Sequence, residues 1–364
     1  MTADTVGGVW SYALELARGL EALGVGVALA TMGAPVSAEQ AREAARVGGL
    51  ELFESRYRLE WMEEPWSDVE AAGEWLLDLE QRTRPDVVHL NGYVHGALPW
   101  RAPAMVVAHS CVLSWWRAVR DEDAPPSWSR YREAVASGLG AARLVVAPTR
   151  AMLEAAEHHY GPLPASRVIP NGRDPAGWTP LAKEPLVLAA GRLWDEAKNV
   201  AALDRVAPAL PWPVYVAGEE RHPEGGTPAL AAARPLGRLA PEALARWMGR
   251  AALYALPARY EPFGLSALEA ALCGCALVLG DIASLRESWE GAAHFVPAGD
   301  DVALRCALRD LIAHPARREA LAMRARERAL SFGAARMADA YVAAYRAMTA
   351  AGREPIREEA ACAS

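Results

Sequence analysis

Phenylalanine and lysine are both scarce in this chain of 364 residues. It has 4 Phe against 13 Trp, and Lys183 and Lys198 are the only lysines among 38 basic residues. Where arginine is otherwise the rule, a retained lysine points to a need for a compact ammonium, although Lys183 shows no such role in the sequence. The five cysteines (Cys111, Cys273, Cys275, Cys306, Cys362) are odd in number and form no C-x-x-C pair. That excludes a disulfide framework or a zinc ribbon and implies reduced thiols. Long apolar runs are missing too. The longest stretch without a charged residue, Ala22 to Ala38, is broken by Gly24, Gly26, Gly33 and Pro35. A spanning helix needs about 20 apolar residues, so none is expected. Met1 to Trp10 has neither the basic start nor the apolar run of a signal peptide, which leads to an expectation of a cytoplasmic protein, with membrane association at most peripheral. Nor is there an excess of positive charge. The net charge is −7; residues through Pro170 carry 15 basic against 22 acidic side chains, and the remainder carries 23 of each. Nucleic acid needs a basic face to neutralise phosphates, so it is excluded as a partner.

What is present is a folded α/β pattern. Apolar residues make up 52% and charged residues 23%, and the length suggests two domains. Continuous apolar runs predict strands at Val25–Thr31, Val87–Leu90, Ala104–Ala108, Leu144–Ala147, Leu186–Ala190, Val214–Ala217, Ala252–Leu256 and Ala276–Leu279. Such runs suit parallel strands covered on both faces. Helical periodicity lies between them, for example at Trp10–Leu23, Tyr131–Ala142, Ala201–Ala209 and Pro241–Arg250. Repeated βαβ alternation predicts two Rossmann-like, doubly wound domains. The proline-rich segment Arg173–Pro185 is the predicted linker. The expected organisation is a first domain over 1–170, a second over 171–332, a helix over 333–350 returning to the first domain, and a loose tail over 351–364.

In the first half, Gly7-Gly8 stands between a very short first strand and the helix near Trp10. Glycines there let a ligand approach the backbone, and the helix start favours an anion; the alternative is an ordinary tight turn. Gly24-Val25-Gly26-Val27-Ala28-Leu29-Ala30 superficially fits a dinucleotide fingerprint, but it leads from helix into strand and is rejected. His89 and His109 end two predicted strands, the edge where open α/β sheets bind ligands, with Asn91 beside the first. Indole offers a flat apolar face and one donor to a sugar or an apolar acceptor. Most of the tryptophans read as packing residues, and Trp115 and Trp116 are the candidates for contact because they follow His109.

In the second half, Gly191-Arg192-Leu193-Trp194-Asp195-Glu196-Ala197-Lys198 places two cations in one strand-end loop before a helix. That suits a diphosphate; the alternative is a solvated loop with ion pairs to Asp195 and Glu196. Tyr260-Glu261-Pro262-Phe263-Gly264-Leu265-Ser266-Ala267-Leu268-Glu269 follows, with a helix expected to start at Phe263-Gly264-Leu265. Its free amides suit phosphate oxygens, and Glu269, one turn in on an apolar surface, needs a partner. Two carboxylates flanking such a helix start suggest a nucleotide sugar as ligand.

In their order along the chain, the Gly7-Gly8 loop, His109, Ile169-Pro170-Asn171-Gly172, Gly191-Arg192 with Lys198, and the pair Glu261 and Glu269 resemble the family 4 retaining glycosyltransferases with the GT-B fold. The resemblance implies two domains facing across a cleft, with the donor nucleotide mainly on the second and the acceptor on the first. It implies that Glu269 receives the ribose hydroxyls, that Arg238 and Leu239 lie at the base, and that Arg192 and Lys198 stabilise the departing diphosphate. Gly8 and the Gly264 and Leu265 amides assist them, Glu261 orients the sugar, and His109 lines its other side. The family mechanism is front-face substitution, in which the diphosphate helps to deprotonate the acceptor. No cofactor or metal is expected; Asp121-Glu122-Asp123 fits a metal motif of another transferase fold but lies in a charged loop before Pro125-Pro126. UDP, GDP and ADP donors are all compatible, as are saccharide, lipid-linked and small-molecule acceptors. The other readings are a nucleotide-sugar epimerase or phosphorylase on a related fold, and a non-catalytic nucleotide-sugar-binding protein.

Overall fold

The computed structural model describes residues 1–5, 7–220 and 230–351, so the expected tail lies outside the described residues apart from Ala351. The first unit runs β1 (Thr2–Asp4), α1 (Gly8–Glu21), β2 (Val27–Met32), α2 (Ala38–Ala44), β3 (Leu50–Glu54), α3 (Trp66–Thr83) and β4 (Val88–Leu90). It continues with β5 (Ala104–Val107), α4 (Val112–Arg120), α5 (Ser129–Ala141), β6 (Leu144–Ala147), α6 (Arg150–Tyr160) and β7 (Ser166–Val168). The second unit opens with β8 (Glu184–Ala190), α7 (Val200–Val206), β9 (Val214–Ala217), β10 (Arg234–Pro235), α8 (Pro241–Arg250) and β11 (Ala251–Leu256). α9 (Leu265–Leu272), β12 (Ala276–Gly280), α10 (Ala283–Trp289), β13 (His294–Val296), α11 (Asp301–Ala313) and α12 (Pro315–Leu330) complete it, and α13 (Ala334–Ala351) returns to the first unit.

Among the described residues every strand pairing is parallel. The first unit has ladders β3-β2-β1 and β4-β5-β6-β7, and the second has the order β10-β9-β8-β11-β12-β13. β1 and β4 meet through Asn91, just past β4, whose backbone N–H and Nδ2 donate to Thr2 Oγ1 and Thr2 O at 2.8 and 2.7 Å. Winding therefore reverses at the β1/β4 joint and between β8 and β11. Ligands of open α/β sheets bind outside the strand ends at such points.

Successive residues of one strand enter opposite cores. Leu186 and Leu188 of β8 join Tyr254, Leu268 and Leu277 on one face, while Val187 joins Leu203, Leu253 and Val278 on the other. Both faces are thus covered, which is why these strands read as unbroken apolar runs. Apart from β1, which the glycines that follow it predict, the strands not picked out by such runs, β3, β7, β10 and β13, all stand at sheet edges. An edge strand has one paired neighbour and tolerates polar residues such as Glu51, Arg167, Arg234 and His294.

The chain passes between the units at two adjoining points. Arg173 N–H donates to Phe332 O at 2.9 Å and Ala334 N–H to Arg173 O at 3.2 Å. α13 then packs on α1, with Met337, Ala338 and Tyr341 buried against Tyr12, Leu16 and Ala17.

Candidate active site

The loop after β8 is built around a backbone that only glycine adopts easily. Gly191 has φ 159°, and a Cβ there would meet the Lys198 stem at 3.4 Å, so the lysine side chain lies over the bare Cα. Asp195 then caps the short turn Glu196–Lys198, its Oδ1 accepting from Ala197 N–H at 3.0 Å. Its Oδ2 accepts from Arg192 Nη2 at 2.8 Å, and Oδ1 also accepts from the Trp115 indole at 3.2 Å. Burial works to raise the Asp195 carboxyl, but Lys198, Arg192, the indole and the Ala197 amide together hold it below its ordinary value. Lys198 does not pair within its own loop: its Nζ donates to Glu261 Oε2 at 2.6 Å. Glu196 is paired with Arg120 of the first unit at 2.7 and 2.9 Å.

Glu261 is gripped at both oxygens, since its Oε1 accepts from Gly264 N–H at 3.0 Å. Gly264, at φ 88°, turns the chain into α9. The helix ladder begins with Leu268 N–H donating to Gly264 O, which leaves the first amides of α9 outside it. Two of the expected site residues are engaged within the chain here. Phe263 is 2% exposed and packs edge-to-face on Phe332 with ring centroids 5.5 Å apart, so its side chain belongs to the core and only its backbone borders the site. Glu269 already has its partner within the chain. Arg173 Nε and Nη2 both donate to Glu269 Oε1, the first at 2.8 Å. Burial pushes the Glu269 carboxyl up, against the opposing pull of Arg173.

Across from these residues lies the glycine loop of the first unit. Gly7 N–H donates to Asp4 Oδ1 at 3.0 Å. A Cβ built on Gly7 would come within 3.9 Å of Arg192 Nη1, and one on Gly8 within 3.7 Å of Leu265 Cδ1. The loop therefore faces the Arg192 guanidinium and the start of α9. His109, half-buried, has Nε2 2.8 Å from Asn91 Oδ1 and packs edge-on against Tyr12 at 4.5 Å. Because Asn91 Nδ2 donates to Thr2 O, its Oδ1 is an acceptor, and His109 carries its proton on Nε2 and leaves Nδ1 as an acceptor. Burial pushes His109 down to about 3, so the ring is neutral.

His89 is not a surface of the acceptor side. It is 3% exposed, with Nδ1 2.7 Å from Tyr345 Oη and Nε2 3.2 Å from Asn91 Oδ1, and so it stands behind Asn91. Trp115 spends its indole N–H on Asp195, and Trp116 stacks edge-on to Trp115 at 5.9 Å. Arg238 is exposed and Leu239 half-buried beyond β10, in a loop tied to the sheet ends by Gly218 N–H donating to Gly237 O at 2.9 Å. Asp121, Glu122 and Asp123 are all exposed after α4; among the described residues no three His, Cys, Asp or Glu side chains converge as metal ligands. A groove of about 1020 Å³ between Arg101, Arg143, Arg167 and the end of α13 lies at the opposite, amino-terminal edge of β5 and β6, away from these residues.

Sequence reasoning missed Arg173, Glu15 and Asp195. Arg173 was hidden by the prolines around it, and Glu15 by the apolar face of α1. Asp195 was weighed only as a partner in a solvated loop. The available signal was the presence of a charge among apolar or structured neighbours.

Two family models match in tandem: Glycosyltransferase Family 4 over residues 6–176 and Glycosyl transferases group 1 over residues 184–314. Glycogen synthase of Mycobacterium tuberculosis is 35% identical over 175 residues, covering 43% of this chain and 42% of that protein, so the chain matches less than half of its length. Among solved structures, sucrose-phosphate synthase from Thermosynechococcus elongatus shares the fold at TM-score 0.81, with 20% identity over 96% of this chain and 99% of that one. Anabaena HepE in complex with UDP-glucose shares it at TM-score 0.74, with 16% identity over 95% and 99%. The tandem family match along this doubly wound pair of units shows that the chain belongs to the family 4 glycosyltransferases of the GT-B fold.

Proposed function

We propose that this glycosyltransferase moves a hexosyl group from a nucleotide-diphosphate sugar to an acceptor with retention of anomeric configuration and without a metal. The observation that carries the reading is the cluster of Arg192, Lys198, Glu261 and the α9 start facing Gly7 and Gly8. In this reading residues 1–170 form the acceptor side and 171–332 the donor side. That Anabaena HepE was crystallised with UDP-glucose supports a nucleotide-sugar donor here.

The diphosphate lies against Arg192, Lys198 and the Leu265 amide, with Gly8 closing from the other unit. These cations and the helix dipole supply the positive potential that a divalent ion would otherwise provide. The acceptor oxygen bonds to C1 on the face from which the phosphate oxygen departs, and the acceptor proton passes to the departing diphosphate. Glu261 orients sugar hydroxyls, and neutral His109 accepts one at Nδ1. Glu269 takes the ribose hydroxyls, and Arg238 and Leu239 border the base. Trp115, Trp116 and Asn91 border the acceptor side, and the protein acts in the cytoplasm.

The test incubates UDP-, GDP- and ADP-hexoses with saccharide, lipid-linked and small-molecule acceptors, with and without EDTA, and reads the product anomer by NMR. The expected product keeps the donor's configuration and forms equally with EDTA. Lys198→Ala is expected to lower kcat by about 100-fold or more, as the loss of a transition-state donor does, and Glu261→Ala, which removes the acceptor for the sugar hydroxyls, to a similar extent, while both variants remain folded by circular dichroism. An inverted product, loss of turnover on chelation, or full activity in both variants refutes the mechanism. Isomerised nucleotide sugar in acceptor-free reactions indicates an epimerase instead.

A further inference from the structure

Arg173 stands at the crossing between the units, in a segment whose prolines mark it as a linker, yet it is 9% exposed. A buried guanidinium must be matched by acceptors. Two of its nitrogens converge on Glu269 Oε1. The third, Nη1, lies 3.3 Å from Glu15 Oε2 and 3.4 Å from Ser11 O, both on α1. Glu15 is held in its turn, because its Oε1 accepts from Asp174 N–H at 2.7 Å.

The form of the Arg173–Glu269 contact is informative. An arginine and a carboxylate that serve only to hold a fold are commonly joined fork to fork, one nitrogen to each oxygen. Here both donors fall on Oε1, and Oε2 stands outside the ion pair. The carboxylate is thus fixed by one oxygen while the other is left for further donors. Glu15 sets the guanidinium from the opposite side, on the same helix that begins at Gly8.

We propose that Arg173 is a positioning residue for nucleotide recognition: it anchors Glu269 through Oε1 so that Oε2 meets the ribose diol, with Glu15 as its counter-anchor on α1. The proposal rests on the reading of Glu269 as the ribose acceptor. It ties donor binding in the second unit to the helix that carries the glycine loop of the first.

The experiment measures calorimetric affinities for UDP, GDP and ADP and for their 2′,3′-dideoxy counterparts, in wild type, Glu269→Gln, Arg173→Met, Arg173→Lys and Glu15→Gln. A ribose preference in wild type that is lost in Glu269→Gln upholds the underlying reading; its absence in wild type overturns that reading and the proposal together. Given the preference, Arg173→Met is expected to reduce it about tenfold, the loss typical of one hydrogen bond to a charged group. Glu15→Gln is expected to reduce it less, and inorganic pyrophosphate to bind all variants alike. If Arg173→Met does not fold, Arg173→Lys is judged in its place, since one ammonium cannot reproduce the fork that reaches both carboxylates. An undiminished ribose preference in a folded Arg173 variant, beside its loss in Glu269→Gln, overturns the proposal and leaves the ribose reading standing.

Discussion

At the scale of single residues, the buried imidazoles give the protein a defined response to acid. His89, His95 and His109 are all pushed down by burial, His109 to about 3. An unfolded imidazole takes up its proton near pH 6.5, and the folded one takes it up only at lower pH. Between those values the unfolded state binds more protons, so stability falls as pH drops, by up to about 1.4 kcal/mol per pH unit for each ring. Above pH 6.5 the rings are neutral in both states and contribute nothing to the slope. His95, which bonds Val69 O at 2.9 Å away from the site, isolates the effect. His95→Gln is expected to flatten the decline of the urea midpoint below pH 6.5; parallel declines in variant and wild type would contradict this. The two lysines divide in the same physical terms. Lys198 reaches across to Glu261, whereas Lys183 donates to the carbonyls of Met248, Gly249 and Cys273 at 3.3, 2.8 and 2.7 Å, which closes the ends of α8 and α9. That second role was not visible in the sequence, because it depends on three carbonyls brought together only by folding.

At the scale of elements, close approach decides what a glycine is for. A Cβ on Gly19 of α1 would lie 2.7 Å from Ala338 Cβ of α13, while one on Gly140 of α5 would meet nothing within 4 Å. Alanine gains about 1 kcal/mol over glycine in a helix, and overpacking costs about 1–3 kcal/mol. Gly19→Ala is therefore expected to destabilise and Gly140→Ala to stabilise by up to about 1 kcal/mol; equal shifts in denaturant midpoint would refute the assigned α1–α13 contact. The same contrast explains what could be read beforehand. Leu144–Ala147 and Val214–Ala217 are strands to the residue, since burial on both faces leaves only apolar choices. The edge strands β3, β7, β10 and β13 left no such trace. The α9 start was legible because Gly264 and the two glutamates sit close in sequence. The Arg173 anchor was not, because its partners Glu15 and Glu269 stand 158 and 96 residues away.

At the scale of the whole molecule, the first unit reaches onto the loops of the second that bear the proposed chemistry. Tyr260 Oη accepts from Cys111 N–H at 3.0 Å, Thr149 Oγ1 donates to Pro262 O at 3.0 Å, and the Glu287 carboxylate accepts from the Arg150 and Ala151 amides that open α6. α4 makes two contacts of different physical weight with the Arg192 loop. Arg120 and Glu196 form an ion pair whose side chains are 43% and 54% exposed, and such pairs contribute about 0–1 kcal/mol. The Trp115 indole instead bonds Asp195, whose side chain is 7% exposed and whose other oxygen holds Arg192. Removing a donor from a buried carboxylate costs about 1.5–3 kcal/mol, and the freed Asp195 no longer fixes the guanidinium. Trp115→Phe, which keeps an aromatic ring, is therefore expected to lower kcat/KM for the nucleotide sugar about tenfold, whereas Arg120→Ala stays within roughly twofold of wild type. Raising the salt concentration should abolish what difference Arg120→Ala makes and leave the Trp115→Phe deficit in place, because exposed pairs are screened and a buried hydrogen bond is not. Steady-state rates at low and high salt decide the matter: a larger loss for Arg120→Ala, or a Trp115→Phe deficit that disappears with salt, would mean that the units communicate through surface charge and not through the buried Asp195.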